Sequence, residues 1–391
     1  MEFKFSPEED AFRQELRDFI ARELPPTWEG VGRYPEEEDW ELTRAIRRKL
    51  AAKGWLTMHW PKEYGGQDGS PIRGAIYSEE LAYFRAPGRD IFGVRMLAPT
   101  LMHFGNEEQK ARFLPPIAKA DVQWCQGFSE PGAGSDLASL STRAVKAGDD
   151  YVVNGAKIWT SLGHKADWMM LLARTNQEAE KHRGISFLLL DMKTPGVQVR
   201  RINDMSGASD FNEVTFDNVR VPVANRLGEE DRGWYVAVKL LEFERSAIEL
   251  SAATRRLLDD LHEYASEVQS NGRPLIELPW VRQALAERYA EVEVARLMAY
   301  NVAFIQGQGL SLNREASISK LFGSETFKRT TNTAQEILGL YGTLSRGEKW
   351  AALRGRSPEI WEFTFSHTIA AGTSEIQRNI IAMRGLGLPR G

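Results

Sequence analysis

The chain has 391 residues, 42% hydrophobic and 27% charged, with a net charge of −4 at pH 7 and a pI near 6.0. That is the composition of a globular protein too long for one core, so two or three packed units are expected, and it excludes a general affinity for nucleic acid. The one cysteine, Cys125, excludes an intrachain disulfide and a cysteine-rich zinc or iron–sulfur site.

Cys125 follows Trp124 in an apolar segment and is expected to be a buried, inert thiol. No pair of His or Cys has the spacing of metal ligands, so no metal is expected. No apolar run is long enough to span a bilayer, and Met1 to Phe5 lack the basic start and apolar core of a signal peptide. The expectation is a cytoplasmic protein, or a matrix protein without its targeting segment, with no membrane or nucleic-acid partner.

The first third reads as helices. Ser6-Pro7-Glu8-Glu9 is a helix start with a capping box, followed by Phe12, Leu16, Phe19 and Ile20 at helical spacing. Pro25-Pro26 stops it. Helices are expected over about 38–53, 72–84 and 89–104. Asn106 caps another, and Pro115-Pro116 marks its end. Near Asp121 the period changes. Tyr151 to Trp159 reads as two strands about an Asn154-Gly155 hairpin turn, and 168–173 and 184–191 are strand-length apolar runs. In 212–222 Val214 and Phe216 share a face before Asp217-Asn218 turns the chain. The helical period returns at Gly233 and persists to about Ile305, then again over 314–338 and 374–384. Arg346 to Phe365 is the least regular stretch. The fold class is therefore α+β and multidomain: an N-terminal helical domain (1–120), a central β domain (121–231) and a C-terminal helical domain (232–391).

The most informative run is Gly127-Phe128-Ser129-Glu130-Pro131-Gly132-Ala133-Gly134-Ser135-Asp136. A strand breaks into small residues and turn formers, which exposes backbone N–H groups on a sharp loop. Such amides can hold a flat polar heterocycle or a phosphate, although an ordinary surface turn has the same composition. Glu130 reads as a residue that fixes this loop.

This run resembles the flavin signature of the acyl-CoA dehydrogenase family. Trp159-Thr160-Ser161, after Asn154-Gly155, resembles the family's second flavin strand. Ala371-Gly372-Thr373-Ser374-Glu375-Ile376-Gln377-Arg378 resembles its C-terminal signature. The three stand in the family's order, and His103-Phe104-Gly105-Asn106-Glu107-Glu108-Gln109-Lys110 extends the match. The resemblance implies a C-terminal four-helix bundle, noncovalent FAD, and oxidation of an acyl-CoA between Cα and Cβ. It places Phe128, Ser129, Trp159 and Ser161 at the flavin ring, with Thr373 and Glu375 approaching from the C-terminal helix. It also places Ser135 on the CoA moiety and Arg273 on the pyrophosphate of a neighbouring subunit's cofactor. Ser374 with Gln377 fits a capping box, whose helix N-terminus would favour a reduced, anionic flavin.

The reaction needs a base at Cα. Many family members carry a glutamate directly before the Gly-Thr of the C-terminal signature, where this chain has Ala371. The Ala371 backbone N–H remains, and in the family that amide binds the thioester carbonyl. Isovaleryl-type and long-chain members place the base in a Glu-Arg pair on the first long C-terminal helix, which matches Glu244-Arg245. Spacing alone puts Glu244 among Ala237, Leu240, Leu241, Ala247 and Ile248, where a carboxylate is a general base with a raised pKa or one half of an ion pair. Arg245 is a candidate for substrate or CoA phosphate. Glu336-Ile337-Leu338-Gly339-Leu340-Tyr341-Gly342 departs from the family's Gln-Ile-Leu-Gly-Gly pattern, with Gln335 as an alternative cofactor contact.

The resemblance further implies a homotetramer or an α2β2 heterotetramer and an electron-transferring flavoprotein as acceptor. The run Trp-Cys-Gln-Gly-Phe-Ser-Glu-Pro is most like bacterial subunits acting on steroid side chains or dicarboxylic acyl chains. Two other functions stay open: a flavin oxidase or monooxygenase on this fold, and an FAD-sharing structural subunit of a heteromeric dehydrogenase.

Overall fold

A computed structural model describes residues 4–26, 28, 30, 37–243, 247–310 and 312–389. They form two compact units, each assembled from separate stretches of chain.

One unit contains residues 32–68 and 88–244. Its sheet has the order β6-β7-β3-β2-β4-β5-β8, with β1 also paired to β4. The strands are β1 (Trp124–Gly127), β2 (Arg143–Ala147), β3 (Asp150–Lys157), β4 (Trp168–Arg174), β5 (Ile185–Asp191), β6 (Val197–Ile202), β7 (Phe211–Pro222) and β8 (Arg226–Leu227). β1 runs parallel to β4, and β3, β6 and β7 pair antiparallel. Alternation along the strands sends Cys125, Tyr151, Val153, Met169, Leu171, Leu188, Val214 and Val219 into one core. The opposite parity stacks Trp124 on Trp168 and sets Phe113 edge-on to both. Phe113 belongs to α5 (Glu107–Ala118), which Asn106 caps as expected, in a capping box completed by Gln109. α2 (Glu37–Ala52), α4 (Ala98–Phe104) and α6 (Gly233–Phe243) complete the unit.

The other unit contains residues 1–31, 69–87 and 245–391. α1 (Pro7–Glu23) starts with the expected capping box and buries Phe12, Leu16, Phe19 and Ile20. It packs with α3 (Pro71–Tyr83) beside α7 (Ile248–Glu267), α8 (Pro279–Gly307), α9 (Asn313–Leu338) and α10 (Ser357–His367). Leu258, Leu261, Val281, Leu285, Val292, Ala334 and Ile337 form the bundle core. Arg13 bridges Glu79 and Glu80, Arg17 pairs with Glu80 at 2.7 Å, and Arg296 and the Tyr300 hydroxyl both reach Glu79.

Several expectations are corrected. Asn154-Gly155 is not a hairpin turn and Asp217-Asn218 does not turn the chain. β3 and β7 run through these positions, which face each other as one β-bulge between Val153 and Gly155. Asn154 accepts from Asn218 N–H at 2.9 Å, and Asn218 takes φ +51°. The real hairpin joins β2 to β3 at Gly148-Asp149. Pro115 and Pro116 lie within α5, where Phe113, Leu114 and Ile117 are buried on either side. The helical run from Gly233 is interrupted by a short hairpin, β9 (Gln269–Ser270) with β10 (Arg273–Pro274). Half of the stretch expected to be irregular is the regular helix α10, where Trp361 and Phe365, four residues apart, meet edge to face at 5.2 Å.

Candidate functional site

The first cluster lies in the sheet unit. β1 passes β4 so closely that a Cβ on Gly127 would fall 2.3 Å from the Met169 sulfur. Phe128 is buried with its ring edge-on to Phe187 at 6.0 Å. The Ser129 carbonyl accepts from Ile158 N–H at 2.9 Å, which ties this loop to the end of β3. Glu130 and Ala133 exchange backbone hydrogen bonds of 2.9 and 3.0 Å across Pro131-Gly132. The Glu130 carboxylate accepts from Ser141 N–H (2.6 Å), the Ser141 hydroxyl (2.8 Å) and Thr142 N–H (2.9 Å), so it fixes the loop as expected.

The Glu130 carboxylate also pairs with Lys157 at 2.8 Å, with side chains 4% and 0% exposed. Burial opposes charge on Glu130, but the Lys157 ammonium and the donors of Ser141 and Thr142 outweigh it and hold the carboxyl down to about 2. Ser135 is exposed, beside Asp136, which pairs with Lys181 at 2.8 Å.

Beyond β3 the backbone turns sharply. Trp159 sits at φ +60°, a conformation costly for a bulky side chain, and the residue is 55% exposed with its indole perpendicular to the Phe211 ring. Thr160 and Asn212 exchange backbone hydrogen bonds of 3.0 Å each way. The Asn212 amide adds a bond to the Thr160 carbonyl (2.8 Å) and meets His164 at 3.2 Å. This network holds the strained peptide under Trp159. Ser161 is half-buried on the same loop. Phe128, Ser129, Trp159 and Ser161 thus occupy two loops joined by one backbone hydrogen bond.

Two buried polar atoms here have no partner, Gln126 Nε2 and Thr160 Oγ1. Each would cost about 1–3 kcal/mol if left so. Gln126, Thr160, Asn212 and Lys157 were not singled out from the sequence. Lys157 was discoverable: with β3 continuous through Gly155, strand parity turns it inward with Tyr151 and Val153.

The second cluster lies in the helical unit. Ala371 and Gly372 take left-handed conformations, φ +53° and +88°. Their carbonyls accept from the Gln377 amide (3.0 and 3.3 Å), and Gly372 also accepts from the Lys320 ammonium at 2.7 Å. Thr373 caps α11 (Ser374–Ile380) by accepting from Ile376 N–H at 3.2 Å. The expected Ser374 cap is therefore displaced by one residue, because the Ser374 hydroxyl donates to Glu325 at 2.8 Å. Glu375 is exposed. Its own backbone N–H and the Thr373 hydroxyl hold its carboxyl below the ordinary range. Ala371 presents only a methyl, on an exposed turn.

Arg273 is exposed on β10, opposite Ser270 and past the Asn271-Gly272 turn. Glu336 is exposed, and the neighbouring Gln335 amide is engaged by the Ser357 hydroxyl at 3.0 Å. Glu244 and Arg245 lie outside the described residues. On their flanks Ala237, Leu240 and Ile248 are buried and Leu241 and Ala247 half-buried, with Ala237, Leu240 and Leu241 on α6 and Ile248 opening the separate helix α7. Cys125 is fully buried, and burial pushes its thiol far up. Among the described residues no cluster of His, Cys, Asp and Glu could hold a metal ion, and no helix is long and apolar enough to cross a membrane.

Family models for the N-terminal, middle and C-terminal domains of acyl-CoA dehydrogenase match residues 6–121, 125–219 and 231–386 in order. The chain belongs to the acyl-CoA dehydrogenase family. It is 38% identical to acyl-CoA dehydrogenase FadE26 of Mycobacterium tuberculosis, covering 100% of this chain and 99% of that one. Among solved structures it resembles a chain of the ChsE4-ChsE5 complex from Mycobacterium tuberculosis (TM-score 0.90, 38% identity, 100% of both chains). It also resembles the Tcur3481-Tcur3483 steroid acyl-CoA dehydrogenase (TM-score 0.90, 34% identity, 100% of both chains). The fold is the three-domain α+β fold of this family, and the chain is an oxidoreductase.

Members of the family are FAD-dependent flavoproteins, and FAD is the cofactor. The sheet unit fits a flavin on its own terms. An exposed indole on a strained backbone offers a face to a flat ring, two buried polar groups lack partners, and nothing lies within 4 Å of where a Cβ on Gly132 or Gly134 would stand.

Proposed function

We propose that the chain desaturates an acyl-CoA thioester between Cα and Cβ, with Glu244 as the base that takes the Cα proton. FAD, when bound, accepts the hydride that leaves Cβ. The chain's own residues do the rest. The Ala371 N–H donates to the thioester carbonyl and acidifies the Cα–H bond. Phe128, Ser129, Trp159 and Ser161 orient the flavin ring, with Thr373 and Glu375 as further contacts. Arg273 serves the pyrophosphate of a neighbouring subunit's cofactor, and Ser135 and Arg245 serve the CoA moiety.

The observation that carries the assignment of the base is Ala371. A methyl stands where many relatives hold their proton acceptor, so the acceptor must come from elsewhere, and the Glu244-Arg245 pair stands where isovaleryl-type and long-chain members carry it.

We assign a bulky acyl group, a steroid side chain first, because a relative 34% identical over its full length is a steroid acyl-CoA dehydrogenase. The same reading divides the chain at 120/121 and 231/232 and places the enzyme in the cytoplasm. It gives the enzyme an electron-transferring flavoprotein as acceptor and a tetrameric assembly. An α2β2 arrangement is favoured by the exposed Glu336, whose charge opposes a pyrophosphate, and by the relative in the ChsE4-ChsE5 complex.

Anaerobic titration of the purified protein with straight-chain, branched, dicarboxylic and steroid side-chain acyl-CoAs tests this reading. Flavin bleaching is expected, fastest with the steroid thioester. No bleaching with any thioester, with rapid reoxidation of reduced protein by oxygen, would favour an oxidase instead. Flavin recovered only on co-expression with a homologous subunit would favour the structural-subunit reading.

A further inference from the structure

Lys157 is completely buried and donates to two oxygens, Glu130 Oε1 at 2.8 Å and the Phe128 carbonyl at 3.0 Å. A buried ammonium is costly, and an apolar side chain of the same length would pack this position at lower cost. Closing the loop does not require it, because Glu130 already accepts three hydrogen bonds from Ser141 and Thr142. What Lys157 adds is a positive charge on one carbonyl. That carbonyl belongs to the peptide whose N–H is Ser129's. A hydrogen bond to the oxygen of an amide polarises the whole peptide and strengthens its N–H as a donor.

We propose that Lys157 is a positioning residue of the flavin site: through the Phe128–Ser129 peptide it turns a buried positive charge into a stronger donor for the negative charge of the reduced flavin. The Glu130 carboxylate keeps the ammonium in place, and the Ile158 N–H to Ser129 carbonyl bond fixes the next peptide of the loop. The effect belongs to the reduced state, so it raises the flavin potential without being needed for binding oxidised FAD. This rests on the reading that Ser129 meets the flavin.

The test compares wild type, Lys157→Met and the double variant Lys157→Met/Glu130→Gln, which removes both charges and leaves neither unpaired. The readouts are the flavin midpoint potential, the FAD dissociation constant and the melting temperature. In the double variant the reduced flavin should be held about tenfold less tightly relative to the oxidised form. For a two-electron couple that is a midpoint about 30 mV lower. Lys157→Met should shift it in the same direction and further, since the Glu130 charge remains. A folded double variant with the wild-type potential would reduce Lys157 to a structural ion pair and end the inference. So would loss of FAD from a double variant that melts as wild type does. A wild-type protein that binds no FAD would instead bring down the reading of the loop, and this inference with it.

Discussion

Glu130 and Lys157 show how two buried side chains fix a loop that neither of them forms alone. The carboxylate gathers the donors of Ser141 and Thr142 under the loop, while the ammonium reaches the Phe128 carbonyl. The pair also links stability to pH. The Glu130 carboxyl is lowered from 4.5 to about 2, so the folded state binds fewer protons than the unfolded chain between these values. The contribution is complete above pH 4.5 and is lost as pH falls toward 2. Wild type should therefore lose urea resistance between pH 5 and 3 more steeply than Lys157→Met/Glu130→Gln. Parallel losses would mean that Glu130 carries no acid-labile stability. Glu130 was legible as a loop-fixing residue. Lys157 becomes legible only once β3 is known to run through Gly155, and Gln126 and Thr160 do not, because their importance lies in what they do or do not hydrogen-bond, which composition does not encode.

Among the elements, the bulge between β3 and β7 explains both the misread turns and the path of the chain into the site. Asn154-Gly155 and Asp217-Asn218 each have the chemistry of a tight turn. Set opposite one another, they satisfy that chemistry with side-chain bonds across the strands, and both strands continue. Gly155 is indispensable there. It takes φ +146°, and a Cβ would meet the Thr142 hydroxyl at 2.6 Å and its Cα at 2.8 Å. Gly155→Ala should cost about 1–3 kcal/mol of stability and loosen the loop that Glu130 fixes through Thr142. Urea unfolding and FAD affinity measure the two effects, and an unchanged midpoint would refute the steric argument. Elements with local signals were legible: the caps at Ser6 and Asn106 and the buried face of α1 stand where the sequence puts them. The bulge is a non-local pairing, and no single segment announces it.

At the scale of the molecule, the chain builds one unit around a sheet and one around a helical bundle, each from separate stretches of sequence. Their composition was legible in outline, but which helices join which unit was not, because it depends on pairings such as Arg13 with Glu79 across 66 positions. The Phe128 and Trp159 loops belong to the sheet unit and the Ala371 turn to the helical one. The loop motifs point to the cofactor, and the proposed oxidation needs a base, for which the C-terminal signature offers only the methyl of Ala371. The measurement that bears most directly on this is anaerobic flavin bleaching by the best acyl-CoA in wild type and in Glu244→Gln. The account predicts that the variant keeps its FAD and its acyl-CoA affinity and loses bleaching by at least 100-fold, on the order of a general base's contribution. Bleaching at the wild-type rate would show that Glu244 is not the base and would contradict the mechanism.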